Sequence, residues 1–272
     1  MKRVSVRTRH TGAARNPEFV ASSAHDRHRP DRLRTFRGHH LRLLRHVDRL
    51  GGRPHQRVPC RPRGARAVAP PANRPPTADD LLARYARYEA AAEAGPFLRY
   101  RSILATGLLG VAGEFGFEPT AAEVDRFSGS VADWPAFADS AAALSRLKTR
   151  FRLGVLTNCD DDLFAASNVR LGVEFDWVVT AQQVGSYKPA EANFLALFDR
   201  VDVPRERILH VAQSLYHDHV TARRLGLSTV WIDRRHDRPG AGATPPVEGA
   251  RPNATYPDMA SFAAAAVSQH HE

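Results

Sequence analysis

The sequence has little cysteine and no long hydrophobic run. Its 272 residues include two cysteines, Cys60 and Cys159, which form no CxxC pair, so neither a disulfide framework nor a zinc site is expected. No stretch approaches the roughly 18 apolar residues that a membrane-spanning helix needs, and the basic N-terminus lacks the apolar segment of a secretory signal. We therefore predict a cytoplasmic protein with no membrane partner.

Lysine and aromatic residues are scarce in residues 1–76, whereas arginine is abundant. This segment holds 19 Lys+Arg and 4 Asp+Glu, a formal charge of +15, while the remaining 196 residues hold 20 and 25, a charge of −5. Lys2 is its one lysine, and Phe19 and Phe36 are its aromatic residues. Nucleic-acid-binding arms usually carry aromatic residues for stacking, so a nucleic-acid partner is not favoured. With clustered prolines and no sustained periodicity, residues 1–76 are predicted to be disordered.

The pattern changes abruptly at residue 77, where regular hydrophobic spacing begins. Four helices without an intervening strand, which predict a helical subdomain, are expected at 77–95, 98–116, 120–129 and 136–149. Strands that alternate with helices are expected after them, at 153–156, 175–181, 207–213 and 228–233. This alternation predicts an α/β fold, a Rossmann-like parallel sheet accompanied by the helical subdomain.

Polar residues follow the predicted strands and are the candidates for chemistry. Thr157 and Asn158 follow the first strand, Lys188 lies in the next connection, and Gln213 to Asp218 follow the third strand. In parallel sheets, ligands bind at the carboxyl ends of the strands. Each residue alone has a structural explanation, such as helix capping or a solvated loop lysine. Together and in this order, they indicate a functional site more specifically than any one of them alone.

These segments resemble the second, third and fourth motifs of the haloacid dehalogenase superfamily, closest to the type II 2-haloacid dehalogenases. The matching stretches are LTNCDDDLF, VVTAQQVGSYKPAEANF and HVAQSLYHDHVTARRLGLSTVWIDRR. The resemblance covers residues 77–265. It implies a helical cap at 77–150 and a Rossmann-like hydrolase core at 151–272, preceded by the basic segment 1–76.

The resemblance also implies a role for each candidate residue. Thr157 and Asn158 would bind the substrate carboxylate or phosphate, and Gln213 and Ser214 are added to the substrate-binding residues. Two further residues are implied to be catalytic: Lys188 would balance the negative charge of nucleophile and substrate, and Asp218 would orient this lysine or a water molecule. In the family, a carboxylate attacks carbon or phosphorus and forms an ester that water cleaves. The expected partner is therefore a small-molecule substrate, a 2-haloacid or a phosphate ester.

Metal use separates two branches of this family. Phosphatase members generally bind Mg²⁺ through the nucleophile and paired acids of the fourth motif, whereas here Asp218 stands alone with Gln213 and Ser214 beside it. This favours dehalogenase chemistry without a metal or other cofactor, and Mg²⁺ is expected only for a phosphatase. Phe194 stands where the dehalogenases often have a tyrosine. A homodimer is left open.

The first motif of the family, an apolar strand that ends in the nucleophilic aspartate, is missing before residue 77. Asp26, Asp31 and Asp48 follow no apolar strand. Read one nucleotide later with allowed codons, HHLRLLRHVDRLG at 39–51 spells ITFDCYGTLIDWE, in which an aspartate replaces Arg42. We hypothesise that the chain is out of frame up to a point between residues 52 and 76. The core would then lack its first strand and its nucleophile, and catalysis would be impaired.

Three alternatives differ from an impaired dehalogenase. The chain could be a phosphatase of the same superfamily, or a non-catalytic protein whose basic arm contacts nucleic acid. A salt-dependent shift of DNA that disappears on deletion of residues 1–76 would indicate the second of these. The third alternative is an unfolded product, which circular dichroism would reveal.

Overall fold

Six parallel strands form one sheet in the spatial order β3-β2-β1-β4-β5-β6. The computed structural model describes residues 18–21, 78–237 and 244–268. The strands are β1 (Glu18–Ala21), β2 (Leu153–Thr157), β3 (Trp177–Thr180), β4 (Ile208–Ala212), β5 (Ser228–Ile232) and β6 (Ala254–Tyr256). Every residue of β2 is buried, because helices cover both faces of a parallel sheet, and its sequence is correspondingly apolar.

Nine α-helices and three shorter helical turns accompany the sheet in the described ranges. The α-helices are α1 (Ala78–Glu93), α2 (Tyr100–Phe115), α3 (Ala121–Gly129), α4 (Ser140–Lys148), α5 (Asp161–Leu171), α6 (Ala181–Val184), α7 (Glu191–Arg200), α8 (Val220–Arg224) and α9 (Met259–Ser268). The turns are 3-10 helices at Ser130–Asp133 and Arg205–Arg207 and a π-helical turn at Leu215–His219. None of the described helices has both the length and the apolar character needed to cross a membrane.

The hydrophobic core is divided by the sheet. On one face, Leu153, Val211 and Val230 pack against apolar side chains of α4 and α9. On the other face, Leu156 and Val179 pack against side chains of α7 and α8. Successive side chains of a strand therefore point to opposite faces, and both faces of the sheet are covered by helices. The loops that carry the candidate residues lie at the carboxyl ends of the strands.

The helices α1, α2 and α3 form a helical layer between β1 and β2 in the chain, and α1 and α2 pack against core residues such as Val155 and Phe164. In α2, Gly107 and Gly110 lie so close to the rings of Tyr85 and Tyr88 that an added Cβ would stand 2.7 and 2.4 Å from them. Thr120 starts α3 with a capping box. The fourth helix, α4, instead packs against α9 beside the sheet. The division of the chain at residues 76 and 150 stays a prediction.

The predicted fold class is confirmed: a parallel α/β sheet is accompanied by a helical subdomain. The predicted helices at 77–95, 98–116 and 120–129 correspond to α1, α2 and α3. The fourth helix begins at Ser140 instead of 136, and the carboxylate of Asp139, just before it, accepts hydrogen bonds from the first backbone amides of α9 and from Arg234. β6 and α9 were not located from the sequence.

The place between β2 and β4, which the sequence analysis left empty, is filled by β1. Val20 pairs with Gly154 on one side and His210 on the other. The prediction that the core lacks a strand here is wrong. EFVA is too short to show a strand period, yet Phe and Val favour extended backbone, and two unpaired strand edges offer hydrogen bonds. The rest of residues 1–76, including the shifted-frame segment 39–51 and its predicted disorder, lies outside the described residues.

β1 completes the sheet without bringing a carboxylate to the strand ends. Its one acidic residue, Glu18, opens the strand and pairs with Ile208 at the start of β4. Its last residue, Ala21, pairs with Val155, two residues before Thr157. β1 therefore supplies hydrogen bonds to both neighbouring strands, and none of its four residues places an acid at its carboxyl end.

Val20→Pro is expected to destabilise the protein strongly. Proline removes a backbone donor from the centre of the sheet and leaves an acceptor on a neighbouring strand unsatisfied, at a cost of about 1–3 kcal/mol. The measurement is the denaturation midpoint of the full chain, with Val4→Pro in the same basic segment as the matched control. An unchanged midpoint for Val20→Pro would contradict the placement of β1 between β2 and β4.

Candidate active site

A buried lysine joins the carboxyl ends of β2 and β4. Lys188 lies in the connection between α6 and α7 and is 2% exposed. Its Nζ donates hydrogen bonds to the carbonyl oxygen of Leu156, at 2.9 Å, and to Oδ1 of Asp218, at 2.8 Å. Among the described residues, one backbone acceptor and one side-chain acceptor thus hold the ammonium group at the strand ends, where it is buried.

Asp218, in the π-helical turn after β4, is fully buried and ionised. Its Oδ1 accepts from Lys188 and also from Nε2 of His210, at 3.0 Å. Burial acts to raise the pKa of Asp218, but the charge of Lys188 and the hydrogen bond from His210 overcome it and hold the pKa well below its ordinary value. Oδ2 has no hydrogen-bond partner among the described residues. One oxygen of this carboxylate is held by two donors, and the other is buried without a hydrogen-bond partner among the described residues.

His210 is a site residue that sequence reasoning missed. It is a fully buried imidazole in the apolar strand β4. Because the carboxylate of Asp218 only accepts, the proton of His210 is assigned to Nε2. The ring also stacks at a tilt, 5.4 Å between centroids, on Phe194. A histidine at an inward position of an apolar strand was the available signal.

Asn158 has its side-chain amide fully engaged. Its Oδ1 accepts from the backbone nitrogen of Lys188, at 2.8 Å, and its Nδ2 donates to the carbonyl oxygen of Lys188, at 2.9 Å. Nδ2 also donates to Oε1 of Glu93, at 3.2 Å. Asn158 therefore fixes the backbone of the lysine loop. Its neighbour Thr157, predicted together with it, is buried at the end of β2.

Gln213 and Ser214 both follow β4, but Gln213 forms a hydrogen bond through its backbone carbonyl and Ser214 through its side-chain hydroxyl. The carbonyl oxygen of Gln213 accepts from the indole of Trp231, at 2.9 Å. Ser214 is fully buried, and its Oγ accepts from the backbone nitrogen of His217, at 3.0 Å, and lies 3.1 Å from Nδ1 of the same residue. Ser214 thus caps the π-helical turn that carries Asp218. A substrate-binding role for either residue stays a prediction.

Glu93 and His217 connect the helical layer to the strand ends, and neither was predicted individually from the sequence. Glu93 is the last residue of α1, and its Oε2 lies 3.2 Å from Nε2 of His217 in the π-helical turn. Burial raises the pKa of Glu93, with the hydrogen bond from His217 acting against it. The carboxylate of a distant helix thereby enters the network of Asn158 and Ser214.

Other polar groups near the site are structural. Asp160 accepts from the backbone nitrogens of Tyr100, at 3.0 Å, and Arg101, at 3.4 Å, and so caps α2. Burial raises the pKa of the Cys159 thiol to about 12, which makes it a poor nucleophile at neutral pH. Phe194, where the dehalogenases often have a tyrosine, is completely buried in the core against Leu156.

The described residues do not fit a Mg²⁺ ion. Such a site needs several oxygen ligands, yet within the described ranges no three His, Cys, Asp or Glu side chains come close enough to hold a metal. Asp218 is the one acid of QSLYHD, the segment that follows β4, and its Oδ1 is already paired with Lys188.

Comparison with known proteins points to one fold. No protein-family model matches the chain. A haloacid dehalogenase-like hydrolase domain-containing protein 3 from Danio rerio is 29% identical over 105 residues, which cover 38% of this chain and 43% of that protein. The chain thus matches less than half the length of this curated relative.

Solved structures extend the comparison over most of the chain. The L-2-haloacid dehalogenase PA0810 superposes with a TM-score of 0.63 at 20% identity, covering 93% of this chain and 100% of that one. The HAD-hydrolase YfnB from Bacillus subtilis, solved with magnesium, gives 0.62 at 16% identity, with coverage of 93% and 100%. The L-2-haloacid dehalogenase from Xanthobacter autotrophicus, with chloropropionic acid covalently bound, gives 0.58 at 15% identity, with coverage of 71% and 87%.

These similarities confirm the resemblance drawn from the motifs. The chain has the haloacid dehalogenase fold, and it resembles hydrolases of that superfamily in fold and in part of its sequence. At these identities the superpositions show the fold alone.

Proposed function

We propose that this protein is by descent a hydrolase of the 2-haloacid dehalogenase type, and that the chain as written lacks the nucleophile. The observation that carries the proposal is the buried ion pair of Lys188 and Asp218 at the carboxyl ends of β2 and β4. A desolvated ammonium fixed at strand ends provides the electrostatic stabilisation that attack by one anion on another requires.

The reaction would proceed through an ester of the aspartate that the shifted frame places at position 42. Its carboxylate oxygen forms a bond to the halogen-bearing carbon, and the halide leaves with the electron pair of the broken bond. Water then adds to the ester carbonyl, which regenerates the carboxylate and releases a 2-hydroxy acid and a proton. Lys188 would offset the negative charge of nucleophile and substrate, and Asn158 would hold the lysine loop in place.

Asp218 would act on the water of the second step or on Lys188. Its Oδ1 is held by Lys188 and His210, while Oδ2 has no partner among the described residues. Oδ2 is buried, so a water molecule would have to enter the site beside it; the ionised carboxylate would then accept a hydrogen bond from this water and orient it. Thr157, Asn158, Gln213 and Ser214 remain the proposed substrate-binding residues, with Nδ2 of Asn158 as the donor to the substrate carboxylate.

The setting proposed for this reaction is the cytoplasm, with a small 2-haloacid as partner. The described cysteine, Cys159, is a buried free thiol, as expected in a reducing compartment. A homodimer and the absence of a nucleic-acid partner stay predictions.

Substrate class is tested with the frame-restored protein, in which the codons for residues 39–51 are read one nucleotide later. With 2-chloropropionate we expect chloride release that EDTA does not change, because the proposed dehalogenase chemistry uses no metal. With 4-nitrophenyl phosphate we expect no release of nitrophenol. The measurements are a chloride electrode and absorbance, and a matched control carries the surface substitution Glu174→Gln. Release of nitrophenol that requires Mg²⁺ would favour the phosphatase alternative.

A further inference from the structure

One carboxylate of the helical layer occupies donors of the proposed site. Glu93 ends α1, and its side chain is 5% exposed. Oε1 accepts from Nδ2 of Asn158 and Oε2 accepts from Nε2 of His217, each at 3.2 Å. An amide and an imidazole of the core therefore converge on the two oxygens of a single carboxylate.

This arrangement conflicts with the proposed role of Asn158. Both hydrogens of its Nδ2 are used, one by the carbonyl oxygen of Lys188 and the other by Glu93. A substrate carboxylate would have to displace Glu93 to reach that donor. Glu93 and the substrate carry the same functional group, so the two compete for the same hydrogen bonds.

We infer that Glu93 is a specificity-determining residue: it holds Asn158 and His217 as an internal carboxylate, and a small external carboxylate binds there only after Glu93 releases them. The inference rests on the proposed function, because it is that function which assigns the donor of Asn158 to a substrate. The inference goes beyond the proposed function because it assigns a residue of the helical layer, Glu93, to the selection of the ligand.

The electrostatic surroundings of Glu93 predict how pH acts on this competition. Its titratable neighbours are Glu89 on the same helix, Tyr187 in the lysine loop, and Tyr216 and His217 in the π-helical turn. Burial and the charge of Glu89 raise its pKa, and His217 opposes them. A protonated carboxyl accepts hydrogen bonds more weakly than a carboxylate. As pH falls, Glu93 is protonated and an external carboxylate gains the donors.

The test is binding of 2-chloropropionate to the full chain as written, which needs no nucleophile. Calorimetry at pH 7.5 is expected to give at least about tenfold tighter binding for Glu93→Gln than for the unsubstituted chain, and no change for the exposed control Glu174→Gln. The unsubstituted chain should bind more tightly at pH 6 than at pH 8, whereas Glu93→Gln should show a smaller dependence. Glu93→Asp keeps the charge on a shorter side chain, and its binding should lie between the two.

Equal or weaker binding by a folded Glu93→Gln, or no binding by any form at any pH, would overturn the inference. Circular dichroism and the denaturation midpoint establish that the variant is folded, and Glu93→Asp serves if it is not. The proposed function fails separately. If the frame-restored protein releases chloride and Glu93→Gln does not change the binding of 2-chloropropionate, the inference alone is wrong. If Glu93→Gln binds more tightly and the frame-restored protein shows no turnover, the proposed function alone is wrong.

Discussion

Replacing Lys188 with methionine is expected to destabilise the protein by about 3–5 kcal/mol, the usual cost of removing one partner from a buried ion pair. Asp218 is completely buried and loses its balancing charge, while the carbonyl oxygen of Leu156 loses a donor. Native proteins are stable by only about 5–15 kcal/mol. The loss is therefore a large fraction of the total free energy of unfolding.

The measurement is the free energy of unfolding from urea denaturation. The matched control is Lys148→Met, which breaks the partly exposed pair of Lys148 and Asp176 and should cost about 1 kcal/mol or less. Adding Asp218→Leu to Lys188→Met should recover most of the loss, since it removes the unpaired charge. If the double variant loses as much stability as the two single variants together, Lys188 and Asp218 are not coupled. The assignment of Lys188 as the charge partner of Asp218 would then be wrong.

The pH dependence of this loss has a definite sign. In the unsubstituted protein the pKa of Asp218 is lowered, so its stabilising contribution is present above the ordinary aspartate pKa of about 3.9 and disappears as pH falls through the lowered value. In Lys188→Met, burial dominates and the pKa of Asp218 rises. That variant gains stability as pH falls through its raised pKa. The difference between the two proteins should therefore be smaller at pH 5 than at pH 7.

The sequence predicted the parts of the site that follow strands directly. Lys188 and Asp218 were expected from their positions in the motif resemblance, and the parallel sheet brings them to 2.8 Å. Local patterns were sufficient for α1 to α3 and β2 to β5, because helix caps and apolar runs act over a few residues. The functional roles of these residues stay predictions.

What the sequence did not predict depends on tertiary contacts. Glu93 and His217 are 124 residues apart, and an acid at the end of an amphipathic helix is ordinarily a solvated residue. His210 sits in an apolar strand, where only the pairing with Asp218 explains its polarity. β1 was missed because its four residues have no period of their own and are specified by the strands on either side.

Restoring the frame is expected to convert an inert protein into a working enzyme. The chain as written has arginine at position 42, and its β1 carries no acid at the strand end, so chloride release from 2-chloropropionate should not exceed the uncatalysed rate. The frame-restored protein should turn over at about 1–10³ s⁻¹, the range of ordinary enzymes. Rapid quenching and mass spectrometry should detect the ester on its new aspartate, and changing that aspartate to asparagine should abolish the ester.

Two controls separate the nucleophile from the strand that holds it. Arg42→Asp in the chain as written supplies a carboxylate without the apolar residues that would place it in the sheet, so it should remain inactive. The nucleotide sequence gives the second control, because the shifted motif requires CUU for Leu41 and CGA for Arg42. Other codons at these positions would refute the out-of-frame hypothesis. Turnover by the unaltered chain would refute the missing nucleophile, since an acid other than the shifted-frame aspartate would then have to stand beside Lys188.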